Sequence, residues 1–252
     1  MKLTILGSGT HIPVKHRSNP AYILDINGKT ILIDCGSGAL RQLVKANRTI
    51  WEIDKIFLSH LHIDHTIDLV PLFFTFKYQK NITTEYKLIS IYAHDNFSIR
   101  LNDLEQIYGK WMDSEYRGYQ HNPISPNSFK QDDFRIETFS AAHSEESLIF
   151  RFIDHKNQKF VYSGDTSLTE NLVKAAYRAD LLLIECSGLE NQEISGHLKP
   201  QDVKSVISAA KPKKTIITHI HPLLDNEDLI WKVTPSDCDV ALAADLQVYR
   251  VG

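Results

Sequence analysis

Three histidines and an aspartate crowd into six residues, in the run Ser59-His60-Leu61-His62-Ile63-Asp64-His65, where the short β-rich stretch Lys55–Ser59 ends. On an extended segment residues two apart project to the same side, so His60 and His62 face together. Asp64 and His65 follow where the chain has to turn. Neutral imidazoles and a carboxylate suit a borderline-soft divalent cation such as zinc. Four donors this dense cannot easily converge on one tetrahedral ion, so two neighbouring metals are expected. The plain alternative is a polar loop with surface histidines, but three imidazoles beside a core strand are hard to satisfy that way.

The remaining composition is ordinary. The chain has 252 residues, 42% hydrophobic and 23% charged, with a formal net charge of -3. That is enough chain to bury a substantial core. The charge gives no global electrostatic case for binding nucleic acid or a membrane surface. No run is long and apolar enough to span a bilayer, and the opening MKLTILGSGT lacks the apolar stretch of a signal peptide. Cys35, Cys186 and Cys238 are odd in number and far apart, which suggests no disulfide framework and fits a cytoplasmic protein. They read as small buried hydrophobes.

Strand patterns cover Lys2–Leu6, Ala21–Ile26, Thr30–Ile33, Lys87–Tyr92, Phe134–Phe139, Leu148–Ile153, Lys159–Tyr162, Leu181–Ile184, Thr215–Thr218 and Ala241–Val251. Asn27-Gly28 is a hairpin signal. Helices are expected over Gly38–Asn47, Ile67–Tyr78, Leu168–Ala176 and Pro200–Ala210, the last with proline suited to its first turn. Residues 94–128 differ in character, with Tyr108, Trp111, Tyr116 and Tyr119 before two prolines, and read as a helix followed by an irregular segment. No linker or repeat is evident, so residues 1–252 are expected to form one domain. Strands dominate each half and helices punctuate them, which suggests two packed sheets with helices outside.

His-x-His-x-Asp-His after an apolar strand resembles the signature of the metallo-β-lactamase superfamily. Other motifs agree in order: LGSGT at Leu6–Thr10, LIDCGSG at Leu32–Gly38, AAHS at Ala141–Ser144, YSGDT at Tyr162–Thr166, GHLKP at Gly196–Pro200 and IITHIHP at Ile216–Pro222. The set is most similar to the ribonuclease Z-like branch and covers nearly the whole chain. The resemblance implies an α+β fold, a four-layer αββα sandwich with the site at one edge. It implies that His60, His62 and His143 hold one metal and Asp64, His65 and His219 the other, with Asp165 bridging. Two Zn2+ are expected, with Mn2+ or Fe2+ as alternatives. His197 is expected to assist catalysis as a general acid or phosphate contact, and Asp64 to orient or deprotonate the nucleophile. His221 is expected at the rim, and His11, His16, His94, His121 and His155 to be solvated or structural. Arg17 is open between a substrate contact and an ion pair. Familiar metallo-β-lactamases carry cysteine where Asp165 stands, so an antibiotic hydrolase is not expected.

Two adjacent dications lower the pKa of a shared water and supply hydroxide near neutral pH. The likeness to the ribonuclease Z-like branch implies phosphodiester hydrolysis as the leading reaction. Typical ribonuclease Z proteins carry a long arm that grips transfer RNA between the motifs of His143 and Asp165. Only about twenty residues separate these two here, and they read as two strands joined by Asp154–Gln158. Without the arm, polyanionic RNA loses basic contacts that supply most of its affinity. Small phosphodiester or ester substrates are favoured over nucleic acid, and no membrane is expected as partner. Transfer RNA 3′ processing and thioester or lactone hydrolysis remain the alternatives, with a non-catalytic metal scaffold behind them. Lys77, Lys80, Lys87 and Arg100 read as a solvated basic face. A homodimer is expected by analogy with the family alone.

Overall fold

The computed structural model describes residues 1–79, 88–109, 118–126, 128–130, 134–190 and 196–252, with only the backbone at 128–130. The expectations on Lys80, Lys87, Trp111 and Tyr116 lie outside these residues. The strands are β1 (Lys2–Gly7), β2 (Ala21–Ile26), β3 (Lys29–Ile33), β4 (Lys55–Phe57), β5 (Ile89–Ala93), β6 (Tyr119–Pro123), β7 (Ser128–Lys130), β8 (Arg135–Ser140), β9 (Leu148–Ile153), β10 (Lys159–Tyr162), β11 (Leu181–Cys186), β12 (Thr215–Ile220), β13 (Val240–Leu242) and β14 (Val248–Arg250). They form two seven-stranded sheets, ordered β14-β1-β2-β3-β4-β5-β6 and β13-β12-β11-β10-β9-β8-β7. Helices α1 (Ala39–Lys45), α2 (Ile63–Thr66), α3 (Leu69–Tyr78) and α4 (Phe97–Tyr108) belong to the first half. Helices α5 (Glu170–Ala176), α6 (Pro200–Ala210) and α7 (Asp228–Val233) belong to the second.

Strand alternation explains the layers. In β2, Tyr22 and Leu24 join a central cluster with Phe57, Phe150, Phe152, Phe160 and Tyr162, drawn from both sheets. Ala21 and Ile23 point the other way and pack under Leu43, Leu72, Phe73 and Phe76 of α1 and α3. In β11, Leu181 and Leu183 face the centre, while Leu182 and Ile184 meet Leu172, Val203, Ile207 and Leu229 of α5, α6 and α7. Strands buried on both faces read as continuous apolar runs, as these do. The result is the four-layer αββα sandwich. Each fully buried phenylalanine of the central layer contributes roughly 1.5–3 kcal/mol relative to exposure.

Three short elements depart from expectation. The segment after α4 is not wholly irregular: β6 pairs in parallel with β5, Tyr119 opposite Ile89, and β7 pairs antiparallel with β8. Both are edge strands. An edge strand packs against one neighbour only, so the sequence YQHNP needs no apolar alternation, and Pro123 is tolerated there. Helix α7 also escaped the pattern reading, because only Leu229 and Val233 of its short length are buried. No helix among the described residues is long and apolar enough to cross a membrane. Between β9 and β10 the chain turns within Asp154–Gln158, where Asn157 N–H donates to the Asp154 carbonyl at 3.0 Å.

Arg17 resolves toward the ion pair. Its Nε and Nη2 both donate to the Asp225 carboxylate at 2.8 Å, and its Nη1 donates to Ser8 Oγ at 2.7 Å and to the Ala243 carbonyl. His16 joins the same carboxylate at 2.7 Å. Cys35 and Cys186 are buried, and Cys238 is partly so.

Candidate metal centre

The site forms where both sheets present strand ends on one side. β4 delivers His60 and His62, and α2 starts immediately after His62, so Asp64 and His65 turn inward within its first turn. His143 follows β8, and Asp165 follows β10 in the tight turn of Gly164, whose φ is 55°. His219 lies within β12, where Thr218 pairs Glu185 and Ile220 pairs Cys186, leaving His219 as the extra residue of a bulge. Its φ of 49° is left-handed, a conformation costing a non-glycine residue on the order of 1–3 kcal/mol. Bulges re-aim side chains beside functional sites, and this one turns His219 toward Asp165.

One carboxylate oxygen organises the cluster. Asp165 Oδ2 lies 3.4 Å from Nε2 of His65, 3.4 Å from Nε2 of His219, 3.7 Å from Nε2 of His60, 3.8 Å from Nε2 of His143 and 4.0 Å from Nδ1 of His197. His143 Nε2 also lies 2.9 Å from His62 Nδ1, and His65 Nε2 lies 3.8 Å from Asp64 Oδ2. The donor atoms of His60, His62 and His143 converge as one set, and those of Asp64, His65 and His219 as another. All seven sequence-selected ligand candidates are therefore brought together. His197 joins them beside His143 and Asp165.

The residues present fit metal ions. Nε2 of His60, Nε2 of His65, Nδ1 of His219 and Oδ1 of Asp165 are buried without any hydrogen-bond partner. Unpaired buried polar atoms are costly, and a cation is the natural occupant among imidazole lone pairs and a carboxylate. Burial holds His60, His143 and His219 below the ordinary histidine pKa, which keeps them neutral as ligands must be. Burial opposes the charge of Asp165 too, but His219 and His65 hold it well below the usual carboxylate range. For His65 burial lowers the pKa, yet Asp165 and Asp34 outweigh it and raise the group well above normal. The pocket thus calls for positive charge.

Residues without a sequence-derived role support the ligands. Asp34, fully buried and at φ 54°, accepts from His65 Nδ1 at 2.8 Å, Ser59 Oγ at 2.9 Å and Tyr162 Oη at 2.7 Å. His143 Nδ1 donates to the Gly196 carbonyl at 2.9 Å, leaving Nε2 for the site. Glu185, fully buried, accepts from His197 Nδ1 at 2.9 Å, from the Thr166 amide at 3.0 Å and from Ser187. Burial disfavours the His197 imidazolium, but Glu185 and Asp165 together push its pKa up to about 9. A glutamate inside the apolar strand LLLIEC was the one available sign of Glu185. His221 sits at the edge, its Nδ1 accepting from the Leu223 amide at 3.1 Å. His121 and His155 make structural contacts with Ala93 and Asn27.

Gly196 yields a direct test. Its φ is 94°, and a Cβ there would stand 2.6 Å from His143 Nδ1. Gly196→Ala is expected to displace the acceptor that orients His143. Metal affinity, measured by chelator competition, should fall by about 10- to 100-fold, the usual effect of losing an outer hydrogen-bond partner. Unchanged affinity would show that this carbonyl does not orient the ligand.

Comparison with known proteins agrees with this geometry. Residues 1–227 match the family model described as Anti-Pycsar protein Apyc1. The chain belongs to the Apyc1 family. It is also 25% identical over 225 residues to the probable metallo-hydrolase YhfI of Bacillus subtilis, covering 87% of each chain. With ribonuclease Z of Archaeoglobus fulgidus it shares 25% identity over 306 aligned positions, covering 92% of this chain and 94% of that one. The solved structure of YhfI, a metallo-β-lactamase fold protein, superposes with a TM-score of 0.82 at 23% identity, covering 99% of both chains. The short form of human tRNase Z superposes at 0.79 and 24% identity over the whole of both. This Apyc1-family chain is accordingly a metal-dependent hydrolase of the metallo-β-lactamase fold, related to ribonuclease Z.

Proposed function

We propose that this Apyc1-family chain is a phosphodiesterase that uses two zinc ions and acts on small phosphodiesters. His60, His62 and His143 would hold one ion, Asp64, His65 and His219 the other, and Asp165 would bridge. When bound, such ions supply Lewis acidity toward a phosphoryl oxygen and lower the pKa of a water molecule enough to make a nucleophile. Asp64, whose Oδ2 lies 3.8 Å from His65 Nε2, orients that nucleophile and accepts its proton. His197 is the general acid. Its Nδ1 is engaged by Glu185, which leaves Nε2 as the atom that can protonate a leaving oxygen. The Glu185 carboxylate favours the charged imidazolium, the form a proton donor needs. The hydrogen-bonded His197–Glu185 pair at the edge of the Asp165 cluster is the observation that carries this reading. Lactone or thioester hydrolysis gives less reason for a pre-protonated acid there.

The direct turn between β9 and β10 supports a small substrate over transfer RNA, since residues 154–158 provide no gripping arm between His143 and Asp165. The chain is proposed to work as one domain, in the cytoplasm. Exposed Phe74 and Tyr78 on α3, with Ile99 and Ile107 on α4, support a homodimer. Zinc-loaded protein is expected to cleave bis(p-nitrophenyl) phosphate in a panel that also contains a phosphomonoester, a thioester, a lactone and pre-transfer RNA. Efficient, salt-sensitive removal of a pre-transfer RNA 3′ trailer would restore the RNA-processing reading. Turnover confined to the thioester or lactone would move the chain to that class.

A further inference from the structure

The two proposed ligand sets share one buried hydrogen-bond network, and Ser59 is its branch point. A neutral imidazole carries one N–H and one lone pair, so a histidine that binds metal through Nε2 must keep its proton on Nδ1, against an acceptor. His65 meets this condition directly, with Nδ1 2.8 Å from Asp34 Oδ2. His60 has no carboxylate of its own. Its Nδ1 faces Ser59 Oγ at 3.1 Å, and Ser59 Oγ lies 2.9 Å from the same Asp34 oxygen.

Proton counting fixes the direction of each bond. A hydroxyl has a single proton to donate. Asp34 already receives the Ser59 amide at 2.8 Å, His65 Nδ1 and Tyr162 Oη, as an ionised carboxylate does. Ser59 therefore gives its proton to Asp34 and turns a lone pair to His60. His60 must then donate from Nδ1, which leaves the lone pair on Nε2, one of the buried atoms without a partner. Asp34, Ser59, His60 and His65 are each at most 1% exposed, so water does not substitute for any member.

We propose that Ser59 is a positioning residue: its hydroxyl sets the Nδ1–H tautomer of His60 and so ties the His60, His62, His143 set to the carboxylate that orients His65. The inference rests on the metal-centre reading above. It separates Ser59 from a packing role, because Ser59→Ala removes one oxygen and leaves the Asp34–His65 bond intact.

The test has two parts. In metal-free wild-type protein carrying 15N-labelled histidine, His60 is expected in the Nδ1–H form. The Nε2–H form there would overturn the proposal without any variant. Zinc titration with a competing chelator should then show one of two binding events weakened by about 10- to 100-fold in Ser59→Ala, the other unchanged, and recovery in Ser59→Thr. Equal weakening of both events, or a Thr variant as poor as Ala, would assign Ser59 to packing and overturn the proposal. Wild-type protein that binds no divalent metal would sink the metal-centre reading and this inference with it. Two normal events in Ser59→Ala would sink the inference alone.

Discussion

Asp165→Ala is expected to abolish metal retention and turnover together while the chain still folds. The carboxylate stands within 4.0 Å of five imidazoles, and four of those approaches are through Nε2. With Asp165 gone, each proposed ion would be left with neutral histidines and at most Asp64, and the repulsion between two such dications would lose its screen. Cations at a phosphoryl centre contribute several kcal/mol of transition-state charge stabilisation. At about 1.36 kcal/mol per factor of ten, the expected loss in kcat is on the order of 10³-fold or more. Metal analysis after gel filtration should find well under two ions per chain, and far-ultraviolet circular dichroism should be unchanged. Asp165→Asn keeps the shape and removes the charge, so it separates coordination from packing. A variant that kept both ions and wild-type kcat would remove Asp165 from the centre.

The cluster of candidate ligands was more legible in the sequence than the scaffolding around it, for a physical reason. The candidate ligands cluster by local geometry: His60, His62, Asp64 and His65 fall on one strand end and the helix turn that follows, so their spacing alone picks them out. Asp165 and His219 are far apart in sequence, but each stands at a turn or bulge after an apolar strand, which the motifs expose. Layers were legible from strands apolar on both faces. The supporting groups were not. Asp34 and Ser59 come from neighbouring strand ends of the first sheet and meet Tyr162 of the second, a partnership no spacing encodes. Glu185 is a single charge in a buried strand, and only its pairing with His197, twelve residues on, gives it a purpose. Arg17 was ambiguous because its partner, Asp225, lies 208 residues away. Edge strands β6 and β7 were missed because edges need little apolar patterning.

His197→Ala should separate chemistry from coordination. The imidazole is held by Glu185 at 2.9 Å, lies 4.0 Å from Asp165 and stands beside the His143 ring at 4.7 Å between centroids, and belongs to neither proposed ligand triplet. Its removal leaves His60, His62, His143, Asp64, His65, Asp165 and His219 in place, so metal content should stay near the wild-type value. The leaving oxygen, however, departs without a proton. General acid catalysis by a positioned side chain is typically worth about 10²- to 10⁴-fold, and kcat on an alkoxide-leaving diester should fall within that range. A p-nitrophenyl diester should lose much less, because p-nitrophenolate leaves without help. That contrast between leaving groups marks an acid, and a phosphate contact would penalise both substrates alike. Glu185→Gln should reproduce part of the defect: the amide still faces Nδ1 but no longer stabilises the imidazolium, so the loaded acid becomes scarcer at neutral pH. Equal losses of metal and activity in His197→Ala would make the residue a ligand. Equal kcat losses on good and poor leaving groups would leave it as a binding contact and take proton transfer away from this pair.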